Sequence, residues 1–156
     1  MDSNYTEKAV EYFSKGYNCS QSVAVVFAED FNLDPDEILK MMSGFGAGIG
    51  GLRETCGTVS AIVFIAGLYT GGFDPADISS KKKLYDLVKK LTAEFTRKFG
   101  TINCADLLRS AACEAKPDPS ERNEKYYAVR PCVRYVTAAT DLLAELIQSG
   151  AKKKQK

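Results

Sequence analysis

The chain has 156 residues, carries 21 Lys+Arg against 20 Asp+Glu, and contains no histidine. That length suits one domain burying roughly two-thirds of its unfolded surface, and the balanced charge offers no bulk field for nucleic acid or an anionic membrane. The missing histidine excludes the commonest general base, His-containing zinc sites and any Cys–His nucleophile pair.

Taken in order, the first stretch, MDSNYTEKAVEYF, is charged and amphipathic rather than a signal peptide, so a cytoplasmic protein is expected. Tyr5, Ala9 and Phe13 share one helical face, and Gly16 can stop that helix. Asn18 reads as the N-cap of a second helix, with Gln21 completing a capping box and Cys19 as the first helical residue. Val23, Val26 and Phe27 line it. Asp34-Pro35-Asp36-Glu37 starts a third helix, with Pro at its first position and Ile38, Leu39 and Met42 as its buried stripe.

The next stretch, Gly44–Gly72, organises the rest. Gly44, Gly46, Gly48, Gly50 and Gly51 open it, Cys56 follows, and from Val59 to Tyr69 every side is apolar or small. A helix without a polar face is a buried central one, and about a dozen residues fall short of the ~20 that span a bilayer. A long amphipathic helix follows from Ser79 or Ser80, its stripe Leu84, Leu87, Val88, Leu91, Phe95 and Phe99, ending at Gly100. Its lysine-rich faces read as solvated surface. A short helix starts near Asn103 with Cys104 in its first turn, and 116–125 (KPDPSERNEK) reads as a polar loop. Pro131 suits the first position of the last helix, with Cys132 next, Val136, Thr140, Leu143 and Ile147 as its stripe, and Gly150 closing it.

The expected fold is all-α, a single-domain multi-helix bundle. It is built around a buried central helix (about 55–71) preceded by a glycine-rich loop. The domain covers 1–150, and 151–156 is expected to be a disordered lysine-rich tail.

Five cysteines, an odd number, argue against a disulfide scaffold in a reducing compartment and towards metal binding or thiol chemistry. No CxxC exists, so zinc-ribbon and thioredoxin-type spacings are absent. Cys19, Cys56, Cys104 and Cys132 each fall in the first turn of a predicted helix, and Cys113 does not. Helix N-termini carry free N–H donors and a positive dipole end, both of which favour thiolate. The competing reading is that these cysteines fill the core as small hydrophobes.

Gly16-Tyr17-Asn18-Cys19-Ser20-Gln21, the glycine run 44–51, Glu54-Thr55-Cys56-Gly57, Phe99-Gly100 leading to Cys104, and Cys132 together resemble the C_GCAxxG_C_C family of redox-active proteins. The resemblance spans Tyr5 to about Ile147. The named motif is altered here: Thr55 stands at its first Gly, Gly57 at its Ala and Ser60 at its last Gly. Position by position, the family's four cysteines fall on Cys19, Cys56, Cys104 and Cys132, with Cys113 again outside. The resemblance implies redox activity without a defined reaction. It also reaches split-Soret cytochromes, which bear an iron–sulfur centre besides their haems; with no CxxCH and no histidine, His-ligated c-type haem is excluded here.

Three readings of the four cysteines stand. An iron–sulfur cluster held by all four ranks first, dithiol–disulfide chemistry second and a tetrahedral zinc third. A non-enzymatic helical module with structural zinc or core cysteines is the contrasting class. Gly46-Ala47-Gly48-Ile49-Gly50-Gly51 matches G-x-G-x-x-G, but it follows a helix and sits in no βαβ unit, which argues against a dinucleotide. Gly46, Gly48, Gly50 and Gly57 are instead expected to pack close to the cofactor, their N–H groups directed at sulfur or a small anion. Arg53 and Glu54 read as a surface ion pair, and Tyr126, Tyr127 and Arg130 as a cover over the site. A redox partner protein is implied without identity, a homodimer is compatible, and neither nucleic acid nor membrane is expected.

Overall fold

A computed structural model describes residues 4–154 of the chain; the last two residues of the expected tail lie outside the described residues. The described residues form an all-α fold. Helices α1 (Asn4–Ser14), α2 (Cys19–Val25) and α3 (Pro35–Met42) come first. They are followed by α4 (Gly57–Thr70), α5 (Ile78–Phe99), α6 (Cys104–Ser110), α7 (Glu124–Val129) and α8 (Cys132–Lys154). The only strand-like pairing among them is an isolated antiparallel bridge between Thr55 and Asn103.

Local signals set most of these starts. Asn18 caps α2 and accepts from the Gln21 N–H, while Gln21 accepts back from the Asn18 N–H, a complete capping box. Asp34, Asp77, Asn103 and Asn123 each accept a backbone N–H at the start of α3, α5, α6 and α7. Helix α4 packs against α2, α5 and α8, and α1 lies across α2 and α8. Val59, Ile62 and Ile65 are buried, each such burial stabilising the fold by about 1.5–3 kcal/mol.

Several expectations change in detail. Helix α4 is not buried on every side, since Val63 is 41% exposed and Tyr69 36% exposed. Helix α7 begins at Glu124, inside the last two residues of the segment read as a loop. Gly150 does not close α8, which continues to Lys154. A Cβ there would lie 2.6 Å from the Tyr69 hydroxyl, so this glycine marks a close approach between α4 and α8.

The glycine run is a turn of left-handed backbone, not an extended loop. Ala47, Gly48, Ile49, Gly50 and Gly51 all have positive φ, from 55° to 89°, and Arg53 follows at 58°. Their N–H groups still bond back along the turn, Gly50 to the Gly46 carbonyl (2.9 Å) and Glu54 to that of Gly48 (2.8 Å). L-residues resist this conformation by about 1–2 kcal/mol each, and glycines at alternate positions lower the total.

Candidate functional site

Cys19, Cys104 and Cys132 are the first residues of α2, α6 and α8, and Cys56 is the N-cap of α4, one place earlier than expected. All four cysteines line a single cavity of about 420 Å³. Cys113 lies outside it, its thiol against the Val129 carbonyl at 3.0 Å. All five cysteines are free thiols.

Short hydrogen bonds fix the two best-buried members. Cys56 N–H donates to the Ile102 carbonyl (2.8 Å) and Cys104 N–H to that of Glu54 (2.6 Å). The Thr55–Asn103 bridge therefore clamps two cysteines side by side from elements almost 50 positions apart. Cys19 is tied down from another direction. Asn18 donates from its side chain to the Ser43 carbonyl (2.9 Å), and the Ser20 hydroxyl donates to that of Met42 (2.7 Å). Tyr135, one turn into α8, donates its hydroxyl to the Leu107 carbonyl (3.1 Å) and sets Cys132 against α6.

Cys19 Sγ lies beside Gly57, the residue after Cys56. Cys56 donates to Cys19, which draws the Cys19 thiol down to about 7, helped by the Ala47 and Ser20 N–H groups and opposed by burial. The same contact, with burial behind it, drives Cys56 well up. Cys56 Sγ also lies 3.1 Å from the Thr58 hydroxyl. Gly57 makes the meeting sterically feasible, since a Cβ there would sit 2.5 Å from Cys19 Sγ. Burial also raises Cys104, with Arg53 pulling the other way, and pushes Cys132 up to about 12.

Among the four, Cys19 is thus the one whose surroundings favour the thiolate, while Cys56, Cys104 and Cys132 are held towards the thiol. Four helix N-termini were expected to favour four thiolates; the contact with Cys19 and then burial oppose this at Cys56, and burial opposes it at Cys104 and Cys132. A direct check is the pH profile of alkylation. Thiolate is the reactive form and its fraction rises as pH climbs through the folded-state value. Iodoacetamide should therefore label Cys19 with a midpoint near pH 7, while Cys132 stays silent up to pH 9. Peptide mass mapping after timed quenching reads both. Equal labelling of the two at pH 7 would refute the asymmetry.

The glycine run meets this site at Cys19 and Cys104 more than at Cys56. Gly46, Gly50 and Gly57 line the cavity, whereas Gly48 is packed behind it, against Cys104 Cβ and the Arg53 backbone. The run follows helical turns, without the strand that a dinucleotide fold requires.

Arg53 does not pair with Glu54. Its Nε–H donates to the Lys116 carbonyl (2.6 Å) and its NH1 to Cys104 Sγ (3.7 Å). Tyr126 and Arg130 line the cavity as expected of a cover, and Tyr127 stands one step back, edge-on to Phe13. Arg122, unmarked in sequence, also lines it. Its guanidinium donates to the Phe13 (3.2 Å) and Tyr17 (3.3 Å) carbonyls and lies over the Phe13 and Tyr126 rings.

Four thiols are the donor set that iron–sulfur clusters and zinc prefer. As arranged, however, no group of three or more Cys, Asp or Glu among the described residues could hold a metal ion. No helix among them is long and apolar enough to cross a membrane.

A model of the family described as "Putative redox-active protein (C_GCAxxG_C_C)" matches residues 17–146. An uncharacterized protein of Archaeoglobus fulgidus is 33% identical over 107 residues, covering 64% of this chain and 71% of that relative. No solved structure matches.

Proposed function

The chain belongs to the C_GCAxxG_C_C family of redox-active proteins, and on that premise we propose that it is a dithiol–disulfide redox protein with Cys19 as attacking and Cys56 as resolving cysteine. One observation carries the reading: Cys19 and Cys56 line the same cavity, with Cys19 Sγ seated against Gly57, the residue next to Cys56. An attacking sulfur must be thiolate near ambient pH, and its partner must reach it without backbone movement. Thr58 and the bridge to α6 hold Cys56, and the Ala47 and Ser20 N–H groups stabilise Cys19 as an anion. A cytoplasmic, reducing setting would keep the pair in its dithiol form between turnovers.

A second reading is an iron–sulfur cluster held by Cys19, Cys56, Cys104 and Cys132. It is favoured by the convergence of all four on one cavity beside Arg53, Arg122 and Arg130. When bound, such a cluster supplies one-electron transfer, and its ligands must first lose the protons of the buried thiols. The present arrangement of the sulfurs does not meet that requirement, so it ranks behind the dithiol. A mononuclear zinc has the same defect without the cavity's size to recommend it.

One experiment separates them. The purified chain is equilibrated in dithiothreitol redox buffers, alkylated and mapped by mass. A parallel sample is treated anaerobically with iron and sulfide and assayed for both. A reversible loss of two protons confined to a Cys19–Cys56 disulfide supports the first reading. Uptake of iron and sulfide in fixed ratio, with visible colour lost on Cys104→Ser, would replace it with the second. Neither result would leave the cysteines as core.

A further inference from the structure

The cavity's charge is one-sided. Arg53, Arg122 and Arg130 line it, and no Asp, Glu or Lys does. None of the three forms an ion pair with a carboxylate among the described residues, in contrast to Arg97 and Arg109, which pair with Glu94 and Asp106. Their partners are neutral. Arg122 uses the backbone carbonyls of Phe13 and Tyr17, Arg130 donates to the Ser120 hydroxyl at 3.1 Å, and Arg53 divides its donors between Lys116 O and Cys104 Sγ. Each guanidinium has five N–H donors, so each has donors left over.

Half-buried cations in a mostly apolar pocket are costly without an anion, and one Cys19 thiolate offsets only one of the three. A cavity of about 420 Å³ lies within the range of small-molecule sites. Guanidinium is also the group best shaped for carboxylate.

We infer that the cavity selects anionic low-molecular-weight disulfides, those carrying carboxylates near the S–S bond, as the oxidant of the Cys19–Cys56 dithiol. This rests on the dithiol reading above and names its substrate class. Arg122 and Arg130 both line the cavity over the Tyr126 ring, at 4.8 and 5.2 Å from its centroid, where a carboxylate can dock while the disulfide reaches Cys19. Cys19 Sγ attacks the nearer substrate sulfur, a Cys19–S–S–R bond forms, and the first RS⁻ leaves with the electron pair. Cys56 then loses its proton to solvent or to the departing thiolate and attacks Cys19 Sγ. The second RS⁻ departs, and a Cys19–Cys56 disulfide remains. Two electrons have passed from the protein to the small disulfide, and an external dithiol restores the pair.

The test uses three disulfides of similar size, 3,3′-dithiodipropionate (anionic), bis(2-hydroxyethyl) disulfide (neutral) and cystamine (cationic). Oxidation of the full-length reduced chain is timed by acid quench and mass mapping. Each rate is divided by that of the same disulfide with dithiothreitol, which removes leaving-group differences. The expected order is anionic over neutral over cationic, with at least about a tenfold advantage for the anion over the neutral compound at low salt. The advantage should shrink as ionic strength rises. Arg130→Gln and Arg53→Gln should each lower the anionic-to-neutral ratio several-fold.

Equal normalised rates, or cystamine fastest, would overturn the inference and leave the dithiol reading standing. Failure of all three to oxidise the pair would overturn both. The salt series on the parent chain decides the matter even where an arginine variant fails to fold.

Discussion

Cys56→Ser should halt the protein at a mixed disulfide. The serine hydroxyl can still donate to Cys19, so the attacking thiolate survives, but no second sulfur remains to release it. Incubation with bis(2-hydroxyethyl) disulfide should then add one mercaptoethanol mass to Cys19 that persists until dithiothreitol is added. The parent should instead lose two protons and carry no adduct. Cys19→Ser should slow the reaction by about a hundredfold or more. Its loss leaves in the cavity only Cys56, Cys104 and Cys132, which burial still holds towards the protonated form, and the thiolate fraction falls about tenfold per unit. Cys113→Ser should match the parent, since that thiol lies outside the cavity against the Val129 carbonyl. A parent-like disulfide in Cys56→Ser would show that Cys104 or Cys132 is the true resolving residue. An unchanged rate in Cys19→Ser would remove Cys19 from the chemistry.

What the sequence reveals of this site divides by range. The starts of α2, α3 and α6 are written within four residues each: Asn18 with Gln21, Asp34 with Pro35, Asn103 with Asp106. Because each cysteine was read by its place at such a start, their helical positions were legible before any packing was known. The ionisation of those thiols was not legible. The dipole is a local property, whereas the burial that overrides it at Cys132 comes from the whole fold.

The arginines show the same limit. Arg53 meets the Lys116 carbonyl 63 positions away, and Arg122 meets those of Phe13 and Tyr17 from 109 and 105 positions away. Nothing in KPDPSERNEK separates Arg122 from a solvated loop cation. The one available hint was aromatic: Tyr126 and Tyr127 follow it at a spacing that lets a guanidinium stack on both. Gly150 misled for the complementary reason. A glycine near a helix end resembles a stop, and only the Tyr69 hydroxyl across from it reveals a contact.

Gly48→Val should cost both stability and the site. At φ 63° a β-branched side chain is strained, of order 1–3 kcal/mol. The new Cβ would also lie 2.6 Å from Arg53 Cα and 2.6 Å from Cys104 Cβ. Backbone cannot swing aside as a side-chain tip can, so Arg53 must shift and carry its bonds to Cys104 Sγ and Lys116 O with it. Strain and overpacking together should destabilise the fold by about 2–5 kcal/mol, lowering the melting temperature by about 5–15 °C. Since Ala47 N–H, one residue earlier, supports the Cys19 thiolate, the alkylation midpoint of Cys19 should move above 7. Gly44→Ala is the control. That glycine has nothing within 4 Å of its would-be Cβ and no positive φ, so melting and labelling should match the parent. Should Gly48→Val melt like the parent and label Cys19 with an unshifted midpoint, the left-handed turn would be a connector without a role in the thiol chemistry. A large loss in Gly44→Ala as well would trace the effect to the whole 43–51 segment. The two variants together therefore locate the constraint at the one glycine whose missing Cβ makes room for Cys104.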